Sequence, residues 1–319
     1  MIRPILQRAN SIAVGLVVLS LIVRWPACSA QETGSKEAIS VKPPHYPKAT
    51  PESQGLTSAD LDAFGAEIEE WVKADRVVGA SLLVVKNRNT VYRKSWGWAD
   101  RESKLPMRED AIVNWRSMTK PVGGTAIQML IDEGKLAPED KVAKYLPSFK
   151  GSKSRDITLQ QLLTHHAGYS QGMPADFQGW QATMPYKSAL DLAKHWGETG
   201  PVNIPGGRFD YADANADTLA GLVEKITGES CGKFVRERIL SPLSMDDTFV
   251  RFAKNDTRKP RIAARYGGGT GQWVKRWSTA DGNYYPFPML AKACTAARTT
   301  TRSSSPSGST KARRCVVSA

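Results

Sequence analysis

Apolar residues recur at helical spacing in several separate stretches of the chain. Leu61, Phe64, Ile68, Trp71 and Val72 define one face of a helix that Ser58 can cap. Two apolar runs follow, Ala80 to Val85 and Thr90 to Trp98, separated by the polar Lys86-Asn87-Arg88-Asn89. That pattern predicts a β-hairpin, with its first strand covered on both faces. Val122, Ile127, Leu130 and Ile131 then mark a helix that stops at Gly134. Gly123 and Gly124 near its start are costly unless something packs closely, and helix-to-sheet packing accounts for them better than a ligand. Thr158 with Gln161 makes a capping-box pattern for a short helix carrying Leu159, Leu162 and Leu163 and ended by Gly168. Leu219, Leu222, Val223 and Ile226 predict another helix, closed by Gly228, and Phe234, Val235 and Ile239 one more.

The 319 residues are enough to bury a large core. A formal net charge of +13 would suggest a nucleic-acid partner, but nine of the 44 basic residues lie in residues 1–30 and 292–319, which hold no acid. Removing those nine leaves 35 basic against 31 acidic residues in the body, with no basic face interleaved with aromatics, so no nucleic-acid partner is expected. Residues 1–30 read as a signal peptide: Arg3 and Arg8, an apolar run from Ile12 to Val23, then small residues ending at Ala30. The expected location is periplasmic or secreted, with an uncleaved N-terminal anchor as the alternative and no other membrane partner. Residues 31–56, with Pro43, Pro44, Pro47 and Pro51, form an extended lead-in. Cys28 lies in the leader and Cys294 and Cys315 near the end, so Cys231 alone sits in the body and no disulfide framework is implied.

The candidate chemistry lies in Arg116-Ser117-Met118-Thr119-Lys120-Pro121. In a helix Ser117 and Lys120 share a face, and the positive helix end favours an oxyanion at the serine. A partly desolvated lysine can accept the serine proton. Ser-x-x-Lys is short enough to arise by chance, and it recurs at Ser230-Cys231-Gly232-Lys233. Gly228-Glu229-Ser230-Cys231-Gly232 also spells a nucleophile elbow, but an elbow needs a strand entering it and here a helix enters, so Ser230 reads as a helix cap. His165 and His166 are adjacent and point to different sides of their helix. Only His45 and His195 remain elsewhere, so no metal and no cofactor is expected, and the pair is assigned structural or hydrogen-bonding roles. Gly267 to Gly271 lacks a following Lys-Ser or Lys-Thr and reads as a turn.

The order of segments resembles the serine β-lactamase and penicillin-binding-protein superfamily, in the branch of class C β-lactamases, D,D-peptidases and related esterases. The matching stretches are Val78-Gly79-Ala80, Ser117 to Pro121, Asp132 to Leu136, Lys144 to Pro147, Ile157 to His165, Tyr211 to Gly228 and Pro242 to Thr248. The resemblance implies an α/β (α+β) fold, an antiparallel sheet flanked by helices plus a mostly helical region, with the active site in the groove between. It further implies Ser117 as the acylated nucleophile, Lys120 as its proton partner and Tyr211, of Tyr211-Ala212-Asp213, as a general base or acid. Asp213 stands where the family has Asn. It would be a substrate-binding residue that, when ionised, offers no donor to a β-lactam or peptide amide, which favours an ester.

The family's third element, Lys-Thr-Gly or His-x-Gly on a late strand, does not follow Tyr211. The one literal match, His166-Ala167-Gly168, precedes it. From Lys292 onward the chain is Thr, Ser, Arg and Ala without acids, a composition typical of disorder. A shifted reading frame from the third base of the Lys292 codon can encode Gly-Leu-Tyr-Ser-x-Ala-x-Asp-Tyr, which resembles a family continuation. Residues 57–291 are therefore expected to form an incomplete hydrolase domain lacking its last strands, and 292–319 an aberrant tail. The expected activity is that of a secreted serine hydrolase on a small-molecule ester or β-lactam/peptide substrate. The alternatives are a D,D-carboxypeptidase-type peptidase and a non-catalytic truncated remnant.

Overall fold

The computed structural model describes residues 46–171, 185–290 and 295–297; the leader, His45, Cys28, Cys294, Cys315 and the rest of the C-terminal stretch lie outside them. Helix α1, Ser58–Lys73, packs on the hairpin of β1, Gly79–Lys86, and β2, Asn89–Asp100. Thr57 rather than Ser58 is the cap, its side chain accepting from the Asp60 N–H at 3.1 Å. Asn87 and Arg88 close the hairpin with φ of +47° and +67°, the left-handed pair whose twist matches that of the strands. β2 pairs further with β3, Leu105–Pro106, which among the described residues leaves β1 at an edge. The expectation that β1 is covered on both faces is met only in part: residues on both of its faces are half-buried, and the buried positions Val91, Trp96 and Ala99 fall on the central strand. The face of α1 also differs. Phe64 is 49% exposed, because the contact is made at Gly65, where the Tyr92 hydroxyl occupies the space that a Cβ would take.

A second antiparallel sheet runs in the order β4–β8–β5, joining Ile112–Asn114, Thr295–Ala297 and Thr248–Phe249. The C-terminal stretch, expected to be without structure, thus supplies the backbone of a central strand. β6, Arg265–Gly267, and β7, Val274–Trp277, enclose the glycine-rich segment as a hairpin turn.

The helical region is built around α5, Asp213–Thr227, which is buried over every residue from Asp213 to Val223. Against it pack α2, Lys120–Asp132, α3, Leu159–Leu163, α4, Ala189–Thr199, and α6, Cys231–Val235. Phe149, Leu130, Leu162, Leu192 and Leu222 join one continuous apolar core there. Gly134 and Gly228 end α2 and α5 at φ of +68° and +73°, the left-handed termini that glycine accepts without strain. Thr158 and Gln161 form the expected reciprocal cap of α3. The helix itself stops at Leu163, well before Gly168, so the adjacent histidines leave it. Gly123 packs against Leu290 of a late loop, not a sheet, while nothing approaches Gly124. Among the described residues no helix is long and apolar enough to cross a membrane.

Candidate active site

Ser117 stands where β4 gives way to α2. Between them Arg116 takes φ of +51°, and residues Arg116–Thr119 wind as a 3₁₀ turn before the α-helix proper begins at Lys120. A left-handed non-glycine residue is strained and persists only where its surroundings over-determine it. Here the Arg116 N–H donates to Asn114 Oδ1 at 3.2 Å and its guanidinium to the Tyr285 hydroxyl at 3.4 Å. Tyr285 is itself buried, which pushes its hydroxyl pKa up to about 12 and keeps it protonated. The kink leaves Ser117 half-buried, with Met118 40% exposed on one side and Thr119 fully buried on the other.

Lys120 is the first residue of α2 and Asp213 the first of α5. Packing of the two helices brings these N-terminal residues together. Lys120 Nζ donates to Ser117 Oγ at 3.2 Å and to Asp213 Oδ1 at 2.6 Å. The side chains are 12% and 3% exposed, so the ion pair is shielded from solvent. A carboxylate at a helix N-terminus is favoured by the helix dipole, whereas a cation there is not. Asp213 therefore suits its own helix and offsets the unfavourable placement of Lys120 on the other.

Tyr211 lies two residues before α5, its ring centroid 4.7 Å from Lys120 Nζ. His165 stacks on that ring at 4.5 Å between centroids. Burial, helped by the nearby Lys120 charge, holds the His165 pKa below that of a free histidine, although Asp213 acts in the opposite direction. The four residues singled out in the sequence, Ser117, Lys120, Tyr211 and Asp213, thus form one cluster. Two aspects were not legible there. The carboxylate of Asp213 is engaged by the lysine beside the serine, and His165 belongs to the cluster; no spacing in the sequence links positions 165, 120 and 213.

The second Ser-x-x-Lys lies elsewhere. Ser230 caps α6 by accepting from the Lys233 N–H at 3.3 Å, and Lys233 Nζ pairs with Glu229 at 3.2 Å. His166 is turned to its own chain, its Nδ1 2.8 Å from the Thr164 carbonyl, so His166-Ala167-Gly168 lines a loop and not a strand. Among the described residues no group of three or more His, Cys, Asp or Glu is placed to hold a metal ion.

Residues 64–309 match the family described as Beta-lactamase. The chain is 29% identical over 253 residues to a putative D-alanyl-D-alanine carboxypeptidase of Escherichia coli (strain K12), a match covering 71% of this chain and 56% of that protein. It is 29% identical over 252 residues to esterase EstB of Burkholderia gladioli, covering 75% of this chain and 62% of that one. The chain therefore spans little more than half the length of these curated relatives. Among solved structures, the octameric penicillin-binding protein homologue from Pyrococcus abyssi superposes with a TM-score of 0.64 at 24% identity, covering 75% of this chain and 54% of that one.

Proposed function

The chain belongs to the Beta-lactamase family, and from that premise we propose that it is an exported serine hydrolase of the class C β-lactamase-like type, forming an acyl-enzyme on Ser117 with small ester substrates. The observation that carries this reading is the hydrogen-bonded series Ser117 Oγ, Lys120 Nζ, Asp213 Oδ1 at the N-termini of two packed helices.

In the proposed reaction Lys120 first gives up one ammonium proton to solvent; Ser117 Oγ then attacks the acyl carbonyl carbon and loses its proton to the neutral amine, with Tyr211 beside the amine as the second proton-carrying group. Asp213 balances the positive charge that Lys120 bears once the proton has moved, and it does so with little solvent to weaken the interaction. The C–O bond to the leaving alcohol then breaks, and the alcohol takes up the proton. Water attacks the acyl-serine by the reverse proton path and releases the acid. The positive end of α2, thirteen residues long, favours the negative charge that develops at the serine and the carbonyl oxygen.

An ester is favoured over an amide because Asp213 is committed as an acceptor to Lys120 and offers no N–H to an amide carbonyl. Incubation with a fluorophosphonate, followed by intact-mass measurement, tests the assignment. A single adduct on the wild-type protein that disappears in Ser117→Ala is expected. An adduct that persists in Ser117→Ala, or none on wild type, rules it out. Export through residues 1–30 is checked by the N-terminal mass of protein recovered outside the cytoplasm.

A further inference from the structure

The short segment that carries Tyr211 is gripped at three consecutive residues by one side chain and its backbone. The His165 carbonyl accepts from the Asp210 N–H at 2.8 Å, its ring stacks on Tyr211 at 4.5 Å, and its Nδ1 accepts from the Ala212 N–H at 3.3 Å. The same Nδ1 lies 2.9 Å from Asn215 Nδ2, which also donates to the Ala212 carbonyl at 3.2 Å. His165 reaches this position with φ of +57°, a left-handed conformation that L residues adopt only under constraint.

A backbone N–H can only donate, so Nδ1 must present its lone pair to Ala212, and the ring proton must sit on Nε2. We infer that His165 is a positioning residue for Tyr211: as a neutral imidazole with an unprotonated Nδ1 it fixes the phenol over Lys120, and its protonation releases that grip. The inference rests on the hydrolase reading of Ser117, Lys120 and Tyr211. Gaining a proton at Nδ1 would set N–H against N–H at Ala212 and Asn215 and would bring a second cation beside Lys120.

The charged and titratable groups facing the ring are Lys120 from α2, Tyr211 from the approach to α5, Asp213 at the first position of α5, and the neighbouring His166. The Phe209 ring stands edge-on at 5.9 Å. Lys120 and burial oppose protonation and Asp213 favours it, with burial the largest effect. The neutral form therefore persists to a pH below that at which a free histidine titrates, and the activity it supports is lost as pH falls through that lowered value.

Three variants separate positioning from bulk structure. Asn can place an acceptor near the site of Nδ1 and tolerates a left-handed φ, but it does not titrate. With p-nitrophenyl butyrate as probe, His165→Ala should lower kcat by about 100-fold, the cost of a roughly 1 Å misplacement, with KM changed far less. His165→Asn should recover most of that loss and abolish the acid limb of the kcat profile. His166→Ala should leave the limb where it is. An unchanged limb in His165→Asn, or a limb that moves in His166→Ala instead, overturns the inference.

A second measurement does not need turnover. Long-range ¹H–¹⁵N NMR of the histidines, in wild type and Ser117→Ala, should show His165 Nδ1 unprotonated at neutral pH, with Tyr211 resonances shifting as His165 titrates. A proton on Nδ1, or a Tyr211 that ignores the titration, refutes the grip. Absence of fluorophosphonate labelling in wild type would instead refute the hydrolase reading and leave His165 to be judged by NMR alone.

Discussion

Removing the Asp213 carboxylate should destabilise the protein out of proportion to its size, and the structure says by how much. The Lys120–Asp213 pair is 2.6 Å apart with side chains 12% and 3% exposed. At an effective dielectric constant of about 20 the attraction alone amounts to about 6 kcal/mol, most of which is offset by the cost of drying both ions. Truncating one partner forfeits the attraction yet leaves the other ion dry, so Asp213→Ala should cost about 3–5 kcal/mol. For a domain of this size that corresponds to a fall in Tm of roughly 6–20 °C. Lys120→Met should be costly for the same reason. Combining Lys120→Met with the same Asp213→Ala removes both ions, and the double variant should cost at least about 2 kcal/mol less than the sum of the singles. The cycle is read by urea unfolding at pH 7. Single-variant costs that add within about 0.5 kcal/mol would refute the buried-pair account.

Gly168 bears on the same segment: at φ +81° a Cβ would lie 2.3 Å from the Asn203 carbonyl oxygen, so Gly168→Ala should shift the chain leading to Tyr211 and lower both Tm and esterase rate, as melting curves and p-nitrophenyl butyrate assays would show. At Gly221, inside α5, alanine would gain about 1 kcal/mol of helix propensity but place its Cβ 2.3 Å from the Ala193 Cβ of α4. Gly221→Ala should therefore be destabilising in urea melts, and Ala193→Gly should partly rescue it. Arg258 beside Asp256 holds that carboxyl below the ordinary aspartate range. The unfolded chain then binds the proton first, so this contribution to stability is present above about pH 4 and is lost as pH falls through the lowered folded value. Asp256→Asn should flatten the fall in urea midpoint below about pH 4, and an unchanged slope would count against it.

Periodicity located α1, the hairpin, α2, α3, α5 and α6 because each carries a stripe of large apolar residues or a cap with a specific chemistry. It missed α4, although Ser188 caps that helix at the Asp191 N–H, because its buried face is largely Ala189, Ala193 and Gly197 and offers little hydrophobic contrast. It also missed the second sheet, whose strands of three, two and three residues are too short to display alternation. For the site, Ser117 and Lys120 were legible as a local spacing. Their coupling to Asp213 depends on how two helices cross, and the role of His165 on a left-handed turn that follows from no residue preference.

The order β4–β8–β5 also sets a timetable for folding. Asn114 pairs with Thr295 and Thr248 with Ala296, so neither outer strand finds its neighbour until the residues near 295 have been made. At translation rates of about 5–20 residues per second, β4 waits on the order of ten to thirty seconds after its own synthesis for β8. The helices around α5 use contacts closer in sequence and can assemble in the meantime. The nascent protein thus spends that interval with an organised helical half and a sheet that cannot close, the period in which a chaperone or a stray strand would find it most receptive.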